Sequence, residues 1–121
     1  MGTNYYAIPK ATYELKTKIK LAIDNENFTE AKQMIPHEVH LGKLSGGWRF
    51  AFDHNNGEHY AQTRASIDVF LDRCTMVDEY QRPISKEEFW EMVDESKNKK
   101  ADIQYGFIAD GLNFINSTDF S

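Results

Sequence analysis

Cysteine is nearly absent from this chain: Cys74 is the only one in 121 residues, which excludes an intramolecular disulfide and any zinc site built from several thiolates. Cys74 falls at the end of an expected helix and reads as a small buried apolar residue rather than a nucleophile. No apolar run approaches the roughly 18 residues of a membrane span. The opening, MGTNYYAIPK, has neither the basic nor the apolar segment of a secretory signal, so a cytosolic protein without membrane association is expected. Internal repeats, low-complexity tracts and linkers are also missing. With 40% hydrophobic content, 121 residues suffice for one core but not two, so residues 1–121 are expected to form a single domain. No Ser-His-Asp or Cys-His arrangement has a recognisable context, and the chain reads as a non-enzyme without a cofactor.

What the chain does have is aromatics: eight Phe, six Tyr and two Trp, enough to make the core largely aromatic. The clearest pattern lies in His37 to Asp53, HEVHLGKLSGGWRFAFD, where apolar and polar residues alternate on both sides of Ser45-Gly46-Gly47. Val39 and Leu41 share one parity and Trp48, Phe50 and Phe52 another, which predicts a β-hairpin with one buried face and Trp48 in the core. Gly46 and Gly47 can take the positive φ values that a tight connection needs.

The remaining elements follow from local signals. Thr3 to Ile8 reads as a short strand that Pro9 ends or places at a sheet edge. Leu15, Ile19, Ala22 and Ile23 recur at helical spacing from Lys10 to about Ile23, and a second short helix is expected from Thr29 to Ile35, before Pro36. His54-Asn55-Asn56-Gly57 is turn chemistry. Thr63 caps a predicted helix running to about Arg73, with Ile67, Phe70 and Leu71 on one side, and Thr75 to Tyr80 suits a strand. Ser85-Lys86-Glu87-Glu88 matches a capping box and starts a helix with Phe89, Met92 and Val93 inward. The segment IQYGFIADGLNFI packs as a strand or a short helix, Gly106 and Gly111 leaving the type open, and INSTDFS reads as frayed. The sum is an α+β domain: a small, largely antiparallel sheet with a central β-hairpin, packed by three to four helices. Its parts are a strand and helical pair at 1–36, the hairpin at 37–53, helix-strand-helix at 54–100 and a C-terminal segment at 101–121.

Charge suggests where function lies. The net charge is −5, and it is uneven: Ser66 to Glu95 holds Asp68, Asp72, Asp78, Glu79, Glu87, Glu88, Glu91, Asp94 and Glu95 against Arg73, Arg82 and Lys86. Binding to phosphate backbones is disfavoured on that side, and a basic protein partner fits better. Asp78, Glu79, Tyr80 and Arg82, followed by Glu87 and Glu91, form the candidate contact patch, although Asp78 can equally orient a turn by bonding its backbone. A second candidate is an anion pocket at the glycine turn: backbone N–H groups at Gly46 and Gly47, the Lys43 charge, the Ser45 hydroxyl, and Tyr6 and Trp48 to stack on a base. It is not a Walker motif, and no helix clearly follows it. His37, His40, His54 and His59 fit no metal signature, and the opposite parity of His37 and His40 keeps them off a common ion.

Three blocks, Met1-Gly2-Thr3-Asn4-Tyr5-Tyr6, His40 to Trp48 (HLGKLSGGW) and Val77 to Ser85 (VDEYQRPIS) leading into Glu87-Glu88-Phe89, resemble a family of small proteins encoded by tailed bacteriophages and prophages. They cover roughly a third of the chain. Many members carry a Cys-x-x-Cys pair between the first two blocks; here that interval has no cysteine, and the zinc site it implies is not expected. The resemblance implies a phage accessory protein in the cytoplasm of the infected bacterial host, and it supplies no catalytic residues. The expectation is binding to a host bacterial protein, inhibiting or redirecting it, through the acidic segment. The alternative is a small module that sequesters a nucleotide-like anion at Lys43 and Ser45.

Overall fold

The computed structural model describes residues 2–116. Its elements are β1 (Gly2–Pro9), α1 (Tyr13–Asp24), α2 (Phe28–Met34), β2 (Val39–Ser45), β3 (Ala51–Asp53), α3 (Arg64–Leu71), β4 (Cys74–Asp78), β5 (Pro83–Ile84), α4 (Lys86–Glu95), a 3₁₀ turn (Ser96–Asn98), β6 (Gly106–Ala109) and β7 (Leu112–Ile115). The strands make one seven-stranded sheet in the order β5-β4-β1-β2-β3-β7-β6. Every pairing is antiparallel except β3 with β7. The class is therefore α+β, but the sheet is larger than the small one expected, because the C-terminal segment is a hairpin that joins β3 edge to edge.

Two helices start where the expected caps, Thr63 and Ser85, place them, while α1 starts at Tyr13 behind Thr12 rather than at Lys10. Thr12, Thr63 and Ser85 accept N–H bonds from Leu15, Ser66 and Glu88, and the Glu88 carboxylate returns to the Ser85 N–H. Each cap satisfies a donor that the first helical turn would otherwise leave unpaired, an effect of about 1 kcal/mol. At the C-terminal hairpin, Asp110 (φ 51) and Gly111 (φ 74) form the two-residue loop, and this left-handed pair matches the twist of the strands it joins.

Cross-strand register fixes which side chains share a face. Tyr5 opposes Gly42, Gly42 opposes Phe52, and Phe52 opposes Phe114, while Ala7 opposes Met76. That face carries the core with Phe89, Trp90 and Val93 of α4 and Ile67 and Leu71 of α3. The aromatic rings meet edge to face: Phe50 and Phe52 at 4.8 Å and 72°, Phe50 and Phe89 at 5.3 Å and 83°. This geometry sets positive ring edges against negative faces. Gly42 is needed in the middle of β2, since a Cβ there would lie 2.1 Å from the Ala51 carbonyl oxygen and 2.8 Å from the Phe50 ring.

Two expectations are corrected and one open alternative is resolved. Packing by three to four helices gives way to two: α1 and α2 supply nothing to the core cluster and bury Ala22 and Ala31 instead. Of the two places allowed for Pro9, it takes the strand end, although β1 is central: the Lys10 N–H bonds the Arg73 carbonyl beyond it, so Pro9 sits in a pair with Cys74 that needs no N–H, and β2 no longer runs beside it. The hairpin over 37–53 pairs as expected, but its second arm is short, Ala51–Asp53, so Trp48 leaves the core pattern and is 39% exposed. The reason is competition for backbone bonds. Trp48 bridges to Lys100, and the Arg49 N–H bonds the Lys100 carbonyl, so residues 48–50 pair with the chain beyond α4 rather than with β2. Of the segment read as frayed, residues 117–121 lie outside the described residues.

Candidate functional site

The contact patch is built on the turn between β4 and β5. Asp78 is buried at the strand end, and its carboxylate accepts the N–H groups of Tyr80 (2.8 Å) and Arg82 (3.0 Å) and the Arg82 guanidinium (2.9 Å). Burial opposes its ionisation, but those backbone bonds and the Arg82 charge outweigh it and hold the carboxyl below its usual range. Gln81 takes a positive φ of 64 inside the turn, and Tyr80 projects outward with Arg82 5.2 Å over its ring. Asp78 thus shapes the turn, and Tyr80 and Arg82 are what it displays. Glu79 accepts the Asn4 N–H at 2.8 Å and ties the turn to β1.

The acidic segment is less acidic on its surface than its composition implies. Lys86 reaches both Asp68 and Asp72, and the bond to Asp72 raises its pKa above the usual lysine value. Arg64 makes a two-point bond to Asp94 at 2.6 and 2.9 Å and lies 4.3 Å over the Trp90 ring, whose Nε1 donates to Asp68 at 2.9 Å. The Arg64 bond holds the Asp94 carboxyl below its usual range. These contacts latch α3 to α4 and consume Asp68, Asp72 and Asp94, while Glu88 serves the helix cap. Glu87, Glu91 and Glu95 remain: they recur every fourth residue of α4, are exposed, and have no cationic partner among the described residues. Four residues of helix rise about 6 Å, so the three carboxylates form one stripe along the outer face.

Of the six residues considered for an anion pocket, Lys43 and Ser45 come together, both side chains lying beside Gly2, while Tyr6 lies further along the sheet. Ser45, Gly46 and Gly47 do form a turn, closed by the Trp48 N–H on the Ser45 carbonyl at 3.2 Å with Gly47 at φ 81. Trp48 then lies against Lys100, whose Nζ is 5.2 Å from its ring. Tyr6 pairs with His40, five residues along β2 from Ser45, a separation of about 16 Å at strand rise. Lys43 lies between, opposite Asn4 and Ala51.

A polar chain that the sequence reading missed crosses the sheet on the face opposite the core. His40 Nδ1 lies 3.1 Å from Asp53 Oδ2 and its Nε2 lies 2.8 Å from Asn4 Oδ1, so one ring links β1, β2 and β3. Asp53, only 5% exposed, also accepts the Asn55 N–H at 3.0 Å. A carboxylate only accepts, so Nδ1 donates to Asp53, while the Asn4 amide can turn either its oxygen or its nitrogen to Nε2. Alternation with Val39 and Leu41 puts His40 on the outward face, but its meeting with Asn4 and Asp53 depends on a register shift between Tyr5 and Tyr6 that no local signal gives. His54 and His59 go elsewhere, to the Ile115 carbonyl and the Phe70 ring. Among the described residues no group of three or more His, Cys, Asp or Glu is placed to hold a metal ion. Cys74 opens β4 in a buried position that pushes its thiol up to about 11, so it carries no thiolate at neutral pH.

No family model, curated protein or solved structure matches the chain, and none of these comparisons indicates an enzymatic activity. No helix among the described residues is long and apolar enough to cross a membrane.

Proposed function

We propose that this chain is a phage accessory protein that binds a host bacterial protein and inhibits or redirects it, meeting a basic surface of that partner with the outer face of α4 and the neighbouring Tyr80 turn. The observation that carries the reading is the stripe Glu87, Glu91 and Glu95: neighbouring aspartates are neutralised by Lys86, Arg64 and Arg82, whereas these three carboxylates are left to solvent. An unneutralised row of one sign raises the encounter rate with a surface of the other sign and selects against acidic partners. Tyr80 and Arg82 add the residue types enriched where interfaces are strongest. The phage setting and the bacterial cytoplasm are supported by the three sequence blocks in their order and spacing.

Affinity purification from bacteria expressing the protein tests this. The expected result is a stoichiometric basic partner that is lost at high salt and lost again when Glu87, Glu91 and Glu95 are all changed to lysine. Recovery of the same partner by the folded triple variant would refute the surface, and no stoichiometric partner at all would refute the function.

A further inference from the structure

The two ends of the sheet are unlike. One ends in β5, two residues long, opened by Pro83 and preceded by Arg82, the features by which natural edges repel a further strand. The other ends in β6, which has no such protection. Ile103 to Ala109, IQYGFIA, contains no charge and no proline, and Ile103 (74%), Tyr105 (57%), Ile108 (48%) and Phe107 (38%) are exposed.

The hairpin geometry says which backbone groups that edge offers. Ala109 and Leu112 flank a two-residue loop and therefore form a hydrogen-bonded pair; Phe107 and Phe114 form the next. The intervening residues, Gly106 and Ile108, direct their N–H and C=O groups away from β7, and among the described residues nothing meets them there. We infer that β6 is the dimer interface of this protein: it pairs antiparallel with β6 of a second copy about a two-fold axis, extending the sheet through both chains.

A second copy, rather than a foreign strand, is the occupant because the edge is complementary to itself. A two-fold register that satisfies all the outward groups sets Gly106 opposite Ile108 of the second copy, with Phe107 on the axis facing its own mate. The residues this register brings together, Gly106, Phe107 and Ile108, are all uncharged, so no like charges oppose each other. A Cβ at Gly106 would lie 2.2 Å from the Phe114 carbonyl oxygen and 2.4 Å from Ile115, so this position stays glycine and adds no side chain to the seam. An isologous contact of this kind closes at two chains and leaves no further edge of the same type. The α4 stripe is on another element, so this inference stands apart from the host-binding reading.

Sedimentation equilibrium over a wide concentration range tests it. The expected result is a particle of twice 14.0 kDa that dissociates on dilution. Ile108→Pro removes an N–H that makes no bond within the chain, and Ile108→Lys sets two like charges beside the axis; each raises the dissociation constant at least about tenfold while the far-ultraviolet dichroism stays native. If the proline variant fails to fold, the lysine variant decides. A wild-type protein at single-chain mass throughout, or a dimer unchanged in the folded lysine variant, overturns the inference.

Discussion

Ser96 accepts the N–H of Phe50 on its hydroxyl at 2.9 Å and donates the same hydroxyl to the carbonyl of Val93 at 2.7 Å. One buried side chain thus fastens the end of α4 to the segment that carries Phe50 into the aromatic core, and it explains why residues 48–50 follow α4 rather than β2. The hydroxyl is the single group able to satisfy both at once.

Removing it strands a buried donor. Ser96→Ala leaves the Phe50 N–H with no acceptor, for which mutational series give about 1–3 kcal/mol. The expected result in urea is a lower midpoint with an unchanged slope, because the folded and unfolded surfaces stay the same. Ser96→Thr retains the hydroxyl and is expected to recover part of the loss. Equal midpoints for Ser96→Ala and wild type would show that the bond contributes nothing net.

Glycines on the same strand-turn-strand unit are expected to differ sharply. At Gly42 a Cβ would meet the Ala51 carbonyl oxygen at 2.1 Å, at a φ of +158, whereas at Gly46 nothing lies within 4 Å and the φ is ordinary. Gly42→Ala must push β3 from β2 and is expected to destabilise by about 1–3 kcal/mol or more, as overpacked sites do. Gly46→Ala is expected to stay within about 0.5 kcal/mol of wild type. Thermal denaturation of the two variants side by side checks this, and similar losses at both would contradict the close approach at Gly42.

These residues also show how far the sequence reaches. Thr63, and the Ser85 and Glu88 pair, name their helix starts because a cap is a contact within four residues. Val39, Leu41, Phe50 and Phe52 name their buried face because alternation is equally local. The pairing of β3 with β7 joins residues some sixty positions apart, and nothing in either segment encodes that partner. The Asp110-Gly111 dipeptide is the local sign of a two-residue hairpin turn, and it goes unused because Gly106 and Gly111 leave the type of the segment open. Within the candidate surface, composition counts Asp68, Asp72 and Asp94 as acidic skin; only the packing of α3 on α4 reveals that Lys86 and Arg64 neutralise them. In the sequence His40 is only one of four histidines that fit no metal signature, because its partners, Asn4 and Asp53, lie on strands that the sequence does not align.

The turn that presents Tyr80 is expected to lose stability in acid in a defined direction. Asp78 has a folded-state pKa below its usual value of 3.8, so its carboxylate favours the folded state at pH values above 3.8. As the pH falls through 3.8 toward the lower folded value, the unfolded chain takes up a proton first and that contribution fades. Asp78→Asn cannot titrate, and its amide oxygen makes weaker bonds to the N–H groups of Tyr80 and Arg82. The stability gap between wild type and Asp78→Asn is therefore expected to be widest near neutral pH and to close on acidification. Denaturant titrations of both proteins at neutral pH and near pH 3 measure that gap. A gap that stays constant across the range would show that the turn does not depend on the Asp78 charge, and Tyr80 would then be presented by backbone geometry alone.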